Sequence, residues 1–307
     1  MASGRTRVLV LGGSGMLGSM VVDVLSRDPG LAVTATVRAD ALQKALAPRF
    51  GRVEWRMFDP ARGMPPDLFT DQQWVVNAIG LTKPLIRDDR WDEIERAIEI
   101  NASLPHQVAR ASASVGARVI QIATDCVYAG TKGEYVEDDP HDARDVYGKT
   151  KSLGETFQDN VAHLRCSIVG PEPKDFKFLL EWFRRQPRDA RIQGFVNHRW
   201  NGLTTLQFAR LCRAIIAGGP WPGHLLHVVP ADTLSKAEML HLFAEVYDRA
   251  DVVIDDVPAN VVVDRTLATN RPDVNAELWK AAGYERPPTV TAMVRELGAF
   301  DYRATGA

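Results

Sequence analysis

The chain has 307 residues, 45% hydrophobic and 25% charged, with a formal net charge of −2. That is ordinary globular composition, long enough for one large α/β unit or two smaller ones, and the absence of any lysine or arginine block argues against nucleic acid as a partner. Three widely separated cysteines, Cys126, Cys166 and Cys212, exclude a disulfide framework and a Cys/His zinc site, give no reason to expect a metal, and suit a reducing cytoplasm.

Arg7–Leu11 reads as a compact apolar strand and Gly15–Ser26 as the helix after it. Arg5, Arg7 and the apolar run Val8–Val22 superficially resemble a secretory leader. The run holds four glycines and leads straight into Asp23, so strand, turn and helix is the better reading. No other segment is long and apolar enough to span a bilayer, and no membrane association is expected. Gly12, Gly15 and Gly18 fall at G-x-x-G-x-x-G spacing between strand and helix. Glycine permits a tight turn, close backbone approach to a pyrophosphate, and close packing of helix on strand. The helix N-terminus adds N–H groups and positive dipole, so Gly12, Ser14, Gly15, Met16, Leu17 and Gly18 are expected to cradle a dinucleotide.

The next strand, Ala32–Val37, ends at Arg38. An NAD site usually carries an acid about 20 residues past the glycines to bond the ribose 2′-hydroxyl. A guanidinium there suits a 2′-phosphate instead, so NADPH is favoured, with Asp40 leaving NADH possible. A helix over Asp40–Ala47, strands over Val53–Phe58 and Trp74–Asn77, and a long helical pattern over Trp91–Val115 follow. Pro105 cannot donate to the Asn101 carbonyl, which predicts a kink. Either the bend is merely tolerated or the freed backbone at Asn101 faces a ligand.

Arg118–Ala123 is a further buried strand, Tyr147–Gln158 a helix and Val161–Arg165 a short strand. Strand–helix alternation of this kind predicts a Rossmann-type α/β fold, a doubly wound parallel sheet. Tyr147 and Lys151 stand at i, i+4 on one helix face. A nearby ammonium lowers a phenol pKa, which suits a tyrosine acting as general acid on a carbonyl oxygen. Thr124, at the end of its strand, offers a partner hydroxyl where strand C-termini line the ligand crevice. The proline- and charge-rich Gly170–Lys174 marks a boundary. Residues 1–169 are expected to form the NADP-binding domain. Residues 170–307 are expected to form mainly a smaller substrate-binding lobe, with helices over Phe176–Arg185, Thr205–Ala217 and Lys236–Tyr247. Some elements from 195–230 are expected to return to the first domain.

The runs Ala123-Thr124-Asp125-Cys126-Val127-Tyr128, Glu134–Pro140 and Val146–Glu155 resemble the extended short-chain dehydrogenases, above all the dTDP-4-dehydrorhamnose reductase branch. The likeness continues through Leu164–Gly170 and Asn201–Thr205, and more weakly at Asp264–Leu267, so it covers nearly the whole chain. The resemblance implies Thr124, Tyr147 and Lys151 as the catalytic set and Asp59 near adenine. It places Asn77, Ala78, Ile79, Gly80 and Thr82 along the cofactor ribose, Lys151 also on the nicotinamide ribose, and Cys166 with Ser167 by the carboxamide. Asn101 joins this expected cofactor set. Hydride would pass from NADPH to C4 of a nucleotide-linked 4-keto-6-deoxy sugar. A helix-mediated homodimer is common in the family.

Lys83, Asp125, Cys126, Asn197, Arg199, Trp200 and Arg265 form the expected substrate set. Aromatic and amide groups of Phe195–Gly202 suit a nucleotide base and Arg199 a pyrophosphate, although a plain loop explains any one of them. Cys126 departs from the branch, which usually carries an aromatic there. It also resembles the cysteine of GDP-fucose synthases, which works with a histidine to epimerise ring carbons; Phe176–Leu180 has none and His198 is distant. The plainer reading of Cys126, a small buried hydrophobe, is preferred. A 4,6-dehydratase would need an acid where Cys126 stands. A nucleotide-sugar epimerase using the same triad, and a non-catalytic regulatory subunit like the methionine adenosyltransferase β subunit, remain as alternatives.

Overall fold

Val8, Leu9, Val10 and Leu11 are wholly inaccessible to solvent, as are Val75 on the neighbouring strand and Ile120 one strand further. Continuous apolar strands of this kind need cover on both faces, which a parallel sheet between helical layers provides. The computed structural model describes residues 4–65 and 67–304. The chain runs β1 (Thr6–Leu11), α1 (Met16–Ser26), β2 (Leu31–Val37), α2 (Asp40–Leu46), β3 (Glu54–Met57), β4 (Trp74–Asn77), α3 (Trp91–Ala97), α4 (Leu104–Ser114), β5 (Arg118–Ala123), α5 (Val146–Leu153) and β6 (Val161–Arg165). It continues with β7 (Ile168–Val169), α6 (Leu179–Arg184), β8 (Arg191–Phe195), β9 (His198–Trp200), β10 (Leu203–Thr204), α7 (Thr205–Ile216) and β11 (Leu225–His227). The last elements are β12 (Leu234–Ser235), α8 (Lys236–Val246), β13 (Val253–Val257), β14 (Val263–Asp264), α9 (Pro272–Ala281) and α10 (Val290–Ala299).

The central sheet has seven strands in the order β11-β6-β5-β4-β1-β2-β3, and every pairing in it is parallel. This is the doubly wound Rossmann-type sheet expected from the alternation. The order reverses between β1 and β4, so their C-terminal ends diverge and open the crevice where such sheets bind ligands. One face packs Met20, Val21 and Leu25 of α1 on Phe208 and Leu211 of α7, and the same core runs on into Phe243, Trp279 and Val294. The other face packs Leu9, Leu11, Val75 and Val119 under Leu104 and Val108 of α4.

The C-terminal half is built differently. Beyond β6 the strands pair in short sets: β7 with β10, β9 with β12 and β14, and β8 with β13. β11 joins the central sheet beside β6. Among the described residues no helix is long and apolar enough to cross a membrane.

Two predicted helices differ from the structure. The pattern over Trp91–Val115 is broken one turn before Pro105, where Ile98–Ser103 widens into a π turn between α3 and α4. Proline at the second position of α4 lacks the N–H that would close a normal turn on Asn101. α5 ends at Leu153, not Gln158, because the backbone of Gly154 lies against this opened turn. A side-chain carbon on Gly154 would stand 2.0 Å from the Asn101 carbonyl oxygen, an approach that only glycine permits.

Candidate active site

The C-terminal ends of β1, β2, β4, β5 and β6, with the segment after β7, enclose a cavity of about 720 Å³. Its floor begins at the glycine turn. Gly12 takes φ 81°, and a side-chain carbon on Gly18 would stand 2.1 Å from the Gly12 carbonyl oxygen. The helix therefore starts as close to the strand as backbone allows. α1 has no side-chain cap and no acid in its first turn. Its first N–H groups are left for another acceptor, and Gly12, Ser14, Gly15, Met16 and Leu17 line the cavity beside them.

Arg38 and Asp59, at the ends of β2 and β3, carry the wall onward, with Phe58, Pro60 and Ala61. Ala78, Ile79, Gly80, Thr82 and Lys83 after β4 form the facing wall. The Thr82 hydroxyl is buried there without a partner, which a bound polar molecule would remedy. Lys83 pairs with Asp145 at 2.7 Å. Asp145 in turn caps α5 by accepting the Gly148 N–H at 2.8 Å, and so holds the helix start that carries Tyr147.

Thr124, Asp125, Cys126, Tyr147, Lys151, Cys166 and Ser167 converge at the far end of the cavity. Thr124 leaves β5 into a single 3₁₀ turn. Its hydroxyl accepts the Cys126 N–H at 3.1 Å and donates to the Asp125 carboxylate at 3.2 Å. Lys151 is buried and its ammonium donates to the Ile122 carbonyl at 3.3 Å. Burial lowers its pKa to about 8, with the Glu155 carboxylate working the other way. The Tyr147 phenol is pushed up by burial first and then by Cys126 and Asp125, while the Thr124 hydroxyl favours the phenolate. The expected lowering by Lys151 is therefore not what dominates: this phenol holds its proton. Burial and the Asp125 carboxylate raise the Cys126 thiol to about 12, and burial raises the Asp125 carboxyl, partly offset by Arg265. Burial likewise pushes the Cys166 thiol well up.

Several expected ligand contacts fall elsewhere. Asn101 does not face the cavity. Its amide clamps the backbone of Leu81 from both sides, at 2.8 and 2.9 Å, so it shapes the wall from behind. Asn77 is fully buried and bonds Gln121 at 2.8 Å and the Ile79 N–H at 3.1 Å. Gly18 does not line the cavity; it lets the helix pack against the Gly12 backbone. Asn197 is spent on both backbone groups of Ala259, each at 2.8 Å. Arg199, on the central strand β9 beside Asp264 of β14, and Trp200, packed into the lobe, do not line the cavity either. Arg265 bonds the Tyr128 and Ala129 carbonyls at 2.8 and 3.2 Å and lines a smaller hollow of about 360 Å³ with Asp88, Arg144 and Asp145.

The cavity also has walls that the sequence reading missed. Glu95, Arg96, Glu99 and Ile100 come from α3 and the π turn. Glu172, Lys174, Asp175, Lys177 and Phe178 come from the segment before α6. Helix was expected from Phe176, but Asp175 and Phe176 both take positive φ, 68° and 51°, and the helix begins only at Leu179. Pro171 and Pro173 were the available signal for an extended loop there. Among the described residues no group of three or more His, Cys, Asp or Glu side chains is placed to hold a metal.

Comparison with known proteins agrees with this architecture. A dTDP-4-dehydrorhamnose reductase from Streptomyces griseus is 37% identical over 153 residues, covering 49% of this chain and 44% of the relative. The spore coat polysaccharide biosynthesis protein SpsK of Bacillus subtilis is 31% identical over 153 residues, with 49% and 47% covered. The match thus spans about half the length of the curated relatives or less. The crystal structure of a dTDP-4-dehydrorhamnose reductase from Bacillus anthracis in complex with NADP has the same fold, with a TM-score of 0.72 over 95% of this chain and 98% of that one at 18% identity. A family model described as the RmlD substrate binding domain matches residues 6–271, and the chain belongs to that family.

Proposed function

We propose that this protein uses NADPH to reduce the keto group, at C4, of a nucleotide-linked 4-keto-6-deoxy sugar. The reading is carried by one observation: an open helix N-terminus at a glycine turn and a Thr124–Tyr147–Lys151 cluster share a single cavity. The names of the Streptomyces relative and of the NADP-bound Bacillus structure support it. The residues fit the cofactor: an uncapped helix start for the pyrophosphate, Asp59 and Pro60 toward the adenosine, the unpartnered Thr82 hydroxyl beside the ribose. NADPH, when bound, supplies the hydride.

The chain supplies the proton and the alignment. Tyr147, kept protonated by burial, is the acid that gives its proton to the substrate oxygen as negative charge gathers there. Thr124 is the second hydroxyl that orients that oxygen. Lys151 lowers the cost of the phenolate left behind by setting a positive charge near it. A lysine with a pKa of about 8 is cationic below that pH and neutral above it. Log kcat/KM for reduction is therefore expected to be level on the acid side and to fall as pH rises through about 8; a profile level to pH 10 would count against this role for Lys151.

No histidine lines the cavity among the described residues, and the Cys126 thiol is raised to about 12. Both favour simple reduction over a route in which Cys126 epimerises the ring first. The deciding assay follows nicotinamide absorbance with NADPH and enzymatically generated dTDP- and UDP-4-keto-6-deoxy sugars. Stoichiometric NADPH oxidation is expected. Sugar conversion without net oxidation would point to an epimerase, and NADPH binding without turnover beside a co-purifying enzyme to a regulatory subunit.

A further inference from the structure

The segment 170–178 between β7 and α6 is held in a defined shape. The buried Glu172 carboxylate accepts the backbone N–H groups of Lys177 and Phe178 at 3.0 and 2.6 Å. The consecutive positive-φ residues Asp175 and Phe176 reverse the chain, and the Arg185 guanidinium stacks 3.4 Å above the Phe176 ring. This puts Lys174, half-buried, into the wall of the cavity that also holds Arg38.

Lys174 and Arg38 are close enough to repel. Burial lowers the Lys174 pKa first and the Arg38 charge lowers it further, with Asp175 giving partial relief. Neither side chain makes an ion pair among the described residues, although surface ion pairs are frequent elsewhere in the chain. Two cations on the lining of one cavity, neither held in an ion pair, are an arrangement that a dianion stabilises. Arg38 ends β2, one strand beyond the glycine turn, and shares its stretch of wall with Thr36, Val37 and Asp59. The pyrophosphate has the glycine turn and the α1 N-terminus, so these cations are set for a different phosphate.

We infer that Lys174 completes, with Arg38, a two-cation receptor for the 2′-phosphate of the adenosine ribose, and that the 170–178 segment thereby selects NADPH over NADH. The inference rests on the dinucleotide reading above. Lys174 is a specificity-determining residue here and takes no part in proton transfer.

The test is calorimetric binding of NADPH, NADH, 2′,5′-ADP and 5′-AMP to the full chain and to its Lys174→Gln and Lys174→Arg variants. Loss of one charge-assisted contact should weaken NADPH and 2′,5′-ADP by roughly tenfold in Lys174→Gln, with NADH and 5′-AMP unchanged and Lys174→Arg near the parent. Equal weakening of NADPH and NADH would place Lys174 on a shared phosphate, or mark the loop as merely structural, and would overturn the inference. So would unchanged binding of all four. A parent protein that binds no dinucleotide would instead remove the proposed function itself, a result visible before any variant is made.

Discussion

Tyr147→Phe is expected to leave a folded protein that binds NADPH with the parent affinity and reduces its sugar about 10²–10⁴-fold more slowly. The substitution removes one oxygen from a half-buried ring. Among the described residues the hydroxyl that acts on it is that of Thr124, which retains the Cys126 N–H and the Asp125 carboxylate as partners. Little stability is therefore at stake, and the melting transition should move by no more than a typical surface change does. The proton is another matter. Among the described residues lining that end of the cavity, the other acidic hydrogens belong to Lys151, Asp125, Cys126 and Cys166; both thiols are raised far from neutrality, and the Lys151 ammonium donates to the Ile122 carbonyl. Single-turnover NADPH oxidation, read beside calorimetric NADPH affinity, separates the two effects. A variant retaining a tenth or more of the parent rate would remove Tyr147 from the role of acid; a parallel loss of NADPH affinity would mean that the ring, not the hydroxyl, was what mattered.

The parts of this cavity that were legible in the sequence are the parts whose geometry is local. Gly12 to Gly18 is one turn and the start of one helix, and Tyr147 to Lys151 is one helical step. Thr124 and Arg38 each close an apolar strand, and a parallel sheet brings strand ends together wherever the strands occur in the chain. What failed depended on contacts between distant segments. Asn101 looked like a ligand because Pro105 frees its carbonyl, but Gly154 fills that space and the Asn101 amide is spent on Leu81. Asn197 lay beside aromatic and basic residues in sequence, yet Ala259 takes its whole amide. Lys174 gave no signal, since its approach to Arg38 follows from the Glu172 clasp and two left-handed residues without a glycine. The effect of Lys151 on Tyr147 was misjudged for a related reason: spacing gives proximity, but burial, which a sequence does not state, dominates both pKa values.

The largest expected loss of stability comes from Arg165, which is wholly buried where β6 ends. Its guanidinium donates to the Tyr128 hydroxyl at 2.7 Å, to Nε2 of His227 at 2.8 Å, to Nε2 of His141 at 2.9 Å, and to the Glu155 carboxylate. Arginine only donates, so both imidazoles must accept at Nε2 and carry their hydrogen on Nδ1. His227 then donates toward the Tyr135 and Ala268 carbonyls, and His141 to Ser152. Burial favours the same neutral imidazoles by lowering both pKa values. Arg165→Met would strand the Glu155 charge in this interior, and a broken buried pair costs about 3–5 kcal/mol, to be read as a lower midpoint in urea unfolding. Glu155→Gln should cost less, because Arg165 keeps three acceptors. It should act instead on the chemistry: Glu155 is the carboxylate that holds the Lys151 pKa up against burial. Without it the ammonium gives up its proton more readily, and the alkaline fall in kcat/KM should move to lower pH than in the parent. If Glu155→Gln leaves that fall in place, the titrating group is not Lys151, and the positive charge assigned to it during proton transfer has to come from elsewhere in the cavity.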